Sequence, residues 1–241
     1  MSTLEPKRVN ACSICAEALE FAVPDALCGV CCRVPPNFDF AISFSAYDGS
    51  LRKLLHLLKY EQLRPAANLI GAKLAEAFAQ REFAGKQPVR LIPVPLHRAK
   101  RRQRGFNQSE RIARSVLQHL DTSRFELHAG NRRRVRATVS QTGLTRHQRR
   151  ENVRGAFAIT APEQVRDRSV IIVDDVYTGT TLNECARVLR KAGAAQVVVA
   201  TAARVYRTGS EIKLTRVETQ HAASQAGQEE NATAFTRAVA G

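Results

Sequence analysis

Ser169 to Val173 is a short continuous apolar, β-branched run that ends in two adjacent acids, Asp174 and Asp175, and this feature limits the fold most strongly. A strand apolar at successive positions has to be buried on both faces, a condition met in a parallel sheet with helices on either side. After the acids, the turn Val176 to Thr181 opens a helix that runs to Ala192, Gly193 stops it, and Gln196 to Ala202 is a second continuous apolar strand. Strand, helix and strand in this order form the right-handed crossover unit of an open α/β sheet.

The rest of the chain extends that sheet. Ala41 to Tyr47 alternates as a strand, Asp48-Gly49 turns, and Leu51, Leu54, Leu55, Leu57 and Leu58 fall at helical spacing before Lys59 and Tyr60 close the helix. A second helix is expected from Ala66 to Arg81. A strand from Val89 is closed by Pro93 and Pro95, the basic run His97 to Arg104 follows, and a helix from Ser109 to Leu120 takes Ser109 as its cap. Short strands at Phe125 to Leu127 and Ala156 to Ile159 flank a basic stretch, Arg132 to Arg136, and a helix or turn at Thr145 to Asn152. With 241 residues, 44% of them hydrophobic, the chain has room for one full core and a small accessory module. The expected division is 1–38 for the module, 39–206 for the α/β domain and 207–241 for an aperiodic, mobile tail.

The module is defined by Cys12, Cys15, Cys28 and Cys31, spaced C-x2-C-x12-C-x2-C and followed by the rigid Pro35-Pro36. Each pair makes a tight turn and two pairs close a tetrahedron, so the spacing predicts a structural Zn²⁺ ribbon with all four positions filled. Cys32 either substitutes for Cys31 or stays a free thiol, while Cys185, inside a helix, is a small core residue. No run is long and apolar enough for a membrane helix and the first residues carry no apolar signal core, so the expected address is cytoplasmic, without membrane insertion.

Two features carry chemistry. A helix N-terminus offers unpaired N–H groups and partial positive charge, so Thr178, Gly179, Thr180 and Thr181 can cradle a phosphate, with Gly179 allowing close backbone approach. Carboxylates at the carboxyl end of a strand accept hydrogen bonds from ribose hydroxyls lying just beyond, so Asp174 and Asp175 complete a sugar-phosphate site. The second feature is charge. Residues 97–154 hold 16 Lys and Arg against 4 Asp and Glu, a surplus of 12 out of a net +15. Such clustering points to an anionic partner. Arg98, Lys100, Arg101, Arg102 and Arg104 directly follow a strand end, as a mobile loop over a diphosphate does, and the guanidinium fork suits phosphate oxygens. The alternative is a nucleic-acid track, for which only Phe106 interleaves with the charges. No general base stands out; His97 serves either as one or as a phosphate hydrogen-bond donor.

The turn resembles the phosphoribosyl diphosphate signature of type I phosphoribosyltransferases. Tyr47-Asp48-Gly49-Ser50-Leu51-Arg52 with Leu58-Lys59-Tyr60, Ile92-Pro93-Val94-Pro95-Leu96-His97 with Arg104-Gly105-Phe106-Asn107-Gln108, and Arg136 and Thr138 with Gln141 and Asn152 to Phe157 together resemble the ComF family. The resemblance spans Cys12 to Arg207. It implies a type I phosphoribosyltransferase-like, open and mostly parallel sheet with flanking helices behind a four-cysteine ribbon, and a role in handling DNA or its nucleotides during competence. It implies phosphoribosyl diphosphate as ligand, with Mg²⁺ held chiefly by the diphosphate, and Asp174 and Asp175 as the catalytic acids facing the ribose. It places the 5-phosphate at Thr178 to Thr181 and the diphosphate at Leu96 and His97. The alternative function is a non-catalytic module that engages single-stranded DNA or a DNA-uptake helicase through the basic segment. One departure stands out: the segment from Asp174 to Thr181 is one residue shorter than the family pattern, which removes a phosphate N–H or twists the cradle.

Overall fold

The computed structural model describes residues 10–20, 24–60, 64–130, 132–134, 136 and 144–206. The expected tail from 207 to 241, and Thr138 and Gln141 of the resemblance, lie outside the described residues. The chain begins with the strand pair β1 (Asn10–Ala11) and β2 (Ala18–Leu19), antiparallel, and the short helix α1 (Gly29–Arg33). Then come β3 (Phe40–Ala46), α2 (Gly49–Tyr60), α3 (Arg64–Ala79), β4 (Val89–Pro93), α4 (Arg98–Arg104), α5 (Gln108–Gln118) and β5 (Phe125–Leu127). A second antiparallel pair, β6 (Arg132–Arg134) and β7 (Phe157–Ile159), brackets α6 (Arg146–Val153). The chain continues through β8 (Ser169–Tyr177), α7 (Thr180–Lys191) and β9 (Gln196–Arg204).

Five strands form one sheet in the order β3-β9-β8-β4-β5, and every pairing in it is parallel. The continuous apolar runs therefore occupy the centre. Alternate residues of β8 and β9 feed two cores, as a strand's period of two requires. Ile171, Val173, Val198 and Ala200 meet the leucines of α2 and α3 and the Ile112, Val116 face of α5. Val170, Ile172, Val197 and Val199 meet Leu182, Ala186 and Leu189 of α7. All four ribbon cysteines belong to this second core. The linker after Pro36 is tied down as well: the Asn37 N–H donates to Asn183 Oδ1 at 2.7 Å, and the Val197 N–H donates to Asp39 Oδ2 at 2.8 Å.

Three local expectations change. The basic run after Pro95 is a helix, α4, because Arg, Lys, Gln and Ala all favour helix and His97 caps it by accepting the Ala99 N–H on Nδ1. The cap of α5 is Asn107, not Ser109: its side chain accepts the Ser109 N–H at 3.1 Å and donates to Val94 O at 2.9 Å. β8 does not stop at Val173. Its pairing with β9 continues through Asp174 opposite Thr201 to Tyr177 opposite Arg204, so only Thr178 and Gly179 separate strand from helix.

Candidate functional site

β4 and β8 run parallel, with Pro93 opposite Val173, so the segment after β4 leaves the sheet at the same edge as the acids. The Val94 N–H donates to Val173 O at 2.9 Å and fixes that exit. From this edge Asp174 and Asp175 meet different partners. Asp174 Oδ1 accepts the Ser109 hydroxyl at 2.7 Å and the Asp175 N–H at 3.0 Å, while part of the residue stays open to solvent. Burial of the carboxyl, and then the neighbouring charge of Asp175, push the Asp174 pKa up to about 7. Asp175 is 6% exposed and its Oδ2 lies 2.6 Å from Lys59 Nζ, an ion pair angled off the hydrogen-bond line. Although desolvation pulls against it, that contact raises the Lys59 pKa, so the lysine stays charged. The two acids thus differ in state: one is held near half-protonation at neutral pH and the other is neutralised by a lysine.

Lys59 and Ser109 are the partners that sequence reasoning missed. Lys59 reads there as the end of a helix and Ser109 as a cap, and only the pairing of distant segments reveals their roles. Around them, Arg104 stands over the Tyr60 ring at 5.5 Å and donates to Gln108 Oε1 at 3.3 Å. Tyr60 is 61% exposed, whereas Phe106 is 8% exposed and covered by Arg111 at 3.8 Å. The aromatic surface beside the basic helix is therefore Tyr60, and Phe106 is unavailable for stacking. Leu96 and His97 are half-buried at the start of α4, and Arg102 points to solvent.

Thr178, Gly179 and Thr180 follow directly on the β8 end that carries the acids. They line a cavity of about 350 Å³ together with Cys15 and Cys31 of the ribbon, Arg150 of α6 and Arg154 just after it, Asn183 and Arg187 of α7, and Arg204. Gly179 has φ +98°, a conformation that costs a side-chain-bearing residue strain, and α7 starts on it with no side-chain cap. α7 therefore opens on a glycine, with its positive dipole end beside the turn. Among the described residues the structure brings the acids together with Lys59 and Ser109, and the turn together with the ribbon.

In the ribbon, the four sulfurs lie within 4.8 Å of one another, all buried. Cys15 Sγ and Cys28 Sγ are 3.6 Å apart. A tetrahedral Zn²⁺ with bonds of about 2.3 Å places its sulfurs about 3.8 Å apart, so the cluster fits such an ion. Contact with Cys15 pulls the Cys12 thiol well below its ordinary range, and contact with Cys12 pushes Cys31 far above it. Four crowded sulfurs hold neither four protons nor four bare charges comfortably, and a dication resolves the conflict. Cys32 sits beside the cluster with Leu27 O at 3.9 Å from its sulfur, while Cys185 is buried in the core on α7. No described helix is long and apolar enough to cross a membrane.

The phosphoribosyl transferase domain family matches residues 107–228. The chain is 35% identical over 196 residues to the DNA utilization protein YhgH of Salmonella typhimurium, covering 80% of this chain and 83% of that protein. It is 31% identical over 194 residues to competence protein F of Haemophilus influenzae, covering 78% and 82% respectively. Among solved structures it is similar to a glutamine phosphoribosylpyrophosphate amidotransferase from B. subtilis at 20% identity and a TM-score of 0.35; the match covers 57% of this chain and 26% of that enzyme.

Proposed function

Because this chain belongs to the phosphoribosyl transferase domain family, alongside competence protein F and the DNA utilization proteins, we propose that it binds phosphoribosyl diphosphate with Mg²⁺ and serves the cytoplasmic use of DNA or its nucleotides. One observation carries the ligand assignment: two carboxyls with opposite electrostatic settings, the second four positions before Gly179, stand ahead of a helix N-terminus without a side-chain cap. Thr178 to Thr181 hold the 5-phosphate through backbone N–H groups and threonine hydroxyls. Asp174 has one oxygen taken by Ser109 and the Asp175 N–H, and its other oxygen accepts a ribose hydroxyl. Lys59 removes the repulsion that Asp175 otherwise exerts on an anionic ligand and holds that carboxyl beside the ribose. Leu96, His97, Arg102 and Arg104 at the neighbouring strand exit meet the diphosphate. Transfer would break the bond between ribose C1 and diphosphate oxygen as C1 bonds to a nucleophilic atom of the acceptor, and the arginines would stabilise the leaving diphosphate as the ring gains oxocarbenium character. Mg²⁺, held mainly by the ligand, would neutralise phosphate charge. The ribbon holds Zn²⁺ on Cys12, Cys15, Cys28 and Cys31 in a structural role, since four protein ligands leave no open position.

Thermal denaturation with and without phosphoribosyl diphosphate and Mg²⁺ tests this. Ligand at a hundred times its Kd stabilises the protein by about 2.7 kcal/mol, a rise in Tm that Asp174→Asn abolishes. An unmoved Tm at millimolar ligand refutes the assignment.

A further inference from the structure

Arg204, the last residue of β9, is 2% exposed and reaches into the ribbon across 189 positions of sequence. Its Nη2 donates to Glu17 Oε2 at 2.8 Å and lies 3.6 Å from Cys15 Sγ. The guanidinium stands over the Tyr177 ring at 4.0 Å, and Tyr177 is the residue opposite it in the sheet. Tyr177 in turn is braced edge-on by Phe38 at 6.2 Å. It immediately precedes the phosphate turn, and its hydroxyl and ring edge lie 3.8 to 4.0 Å from the position of a Cβ built on Gly179. A path of contacts therefore leads from a cluster sulfur through one guanidinium to the Tyr177 ring, which is joined along the chain to Thr178-Gly179.

Electrostatics decides what this path does. Four thiolates around one dication leave a formal charge of −2, and Arg204 is the buried cation in contact with that cluster. While the metal is bound, attraction to Cys15 and Glu17 fixes the guanidinium and so fixes the face on which Tyr177 packs. Without the metal nothing ties the four cysteine-bearing segments to one centre, so Cys15 no longer stands in a fixed place for the guanidinium, while the bond to Glu17 is kept. A buried arginine left with half its partners shifts or recruits water, and Tyr177 loses the surface that holds it. The same cavity contains Cys15, Cys31, Arg204, Tyr177 and the turn, so there is room for that movement.

We propose that Arg204 is a positioning residue that couples the metal-loaded ribbon to the phosphate turn, so that metal and sugar-phosphate ligand bind with positive cooperativity. This rests on the ligand assignment above only for the identity of the ligand; the contact between ribbon and turn stands without it. Coupling is reciprocal, so the ligand has to be felt at the metal.

The test uses the full chain loaded with Co²⁺, whose thiolate charge-transfer bands report the ligand sulfurs. In the wild type, saturation with phosphoribosyl diphosphate and Mg²⁺ shifts those bands. In Arg204→Lys, which keeps a cation for Glu17 and loses the flat fork, cobalt stays bound, the band shift disappears and ligand affinity falls at least about five-fold. Ligand binding by both proteins with equal affinity and unmoved bands overturns the proposal while leaving the ligand assignment intact. If the wild type binds no ligand, the ligand assignment fails and hydrogen exchange without ligand still judges the coupling. In that measurement Arg204→Lys speeds exchange at amides 178–183 about ten-fold with the ribbon's own exchange unchanged; equal protection at those amides overturns the proposal. Should Arg204→Lys fail to fold, Tyr177→Leu, which leaves Arg204 and the cysteines in place, is held to the same two outcomes.

Discussion

Asp174→Asn is predicted to stabilise the unliganded protein and to do so only above acidic pH. The folded environment raises this carboxyl from 3.8 to about 7, chiefly by burial. Between those values the native state holds a proton that the unfolded chain has released, so stability falls as pH rises from about 4 to 7 and levels off above. At about 1.4 kcal/mol per tenfold change in proton activity, the full gap corresponds to about 4 kcal/mol. Part of the residue is open to solvent, so roughly half of this, about 2 kcal/mol, is the figure to expect. Asparagine keeps the interactions at Oδ1, accepting from Ser109 Oγ and from the Asp175 N–H, and carries no charge to desolvate. For a domain of this size, 2 kcal/mol raises Tm by about 4 to 8 °C. Thermal denaturation followed by circular dichroism at pH 5, 6, 7 and 8 measures it: the gain grows across the series toward pH 7 and then stops. An equal gain at pH 5 and pH 8, or a loss at pH 8, refutes the assignment of a raised carboxyl, whatever the ligand.

Lys59→Met strands Asp175 without its counter-charge; breaking a buried pair costs several kcal/mol, and with Lys59 partly exposed about 2 kcal/mol is expected in urea unfolding, with Asp175→Asn on top restoring much of it. Gly71→Ala forces a Cβ to 2.3 Å from Ser115 Oγ and 2.8 Å from a backbone carbon, so α3 and α5 separate; a loss of about 2 kcal/mol, with weaker ligand response because α5 carries Ser109, is read from denaturant midpoints and thermal shift. Gly179→Ala places its Cβ in ordinary contact with the Tyr177 ring at 3.8 to 4.0 Å yet must hold φ +98°; a loss of about 1 to 2 kcal/mol in denaturant unfolding and of the ligand-induced Tm rise is expected.

The centre of the sheet was legible because β8 and β9 are apolar at nearly every position and α7 sits between a Gly/Thr turn and Gly193. The end of β8 was less so. Two aspartates and a tyrosine look like a strand's termination, but pairing with Thr201, Ala203 and Arg204 carries the strand past them, a tertiary effect that outweighs local propensity. The helix at Arg98 to Arg104 has no apolar stripe to reveal it, and its helix-favouring composition was the signal available. Lys59 opposite Asp175 and Arg204 opposite Glu17 join segments 116 and 187 positions apart, and no local pattern reports such pairs. The clustering of the four cysteines was fully legible, since two C-x2-C turns gather their sulfurs locally.

The proposed ligand would bring several phosphate charges to a site built around two carboxylates and face repulsion, which the differing partners of Asp174 and Asp175 would lessen. Asp175 is paired with Lys59, whose own charge is secured by that contact. Among the described residues no cation is paired with Asp174, which instead keeps its proton close to neutral pH, so at rest the pair presents less than two negative charges. The arginines of α4 then dominate the field at that edge of the sheet and attract an anion. Because Asp174 lies near its midpoint at pH 7, little free energy is needed to ionise it once a divalent cation arrives with the ligand. Were both acids paired to lysines, the site would lose the acceptor oxygen that a ribose hydroxyl requires; were both unpaired, the desolvated charges would repel the phosphates. One paired acid beside one half-protonated acid would meet both demands of the proposed ligand, through the different neighbours Lys59 and Ser109.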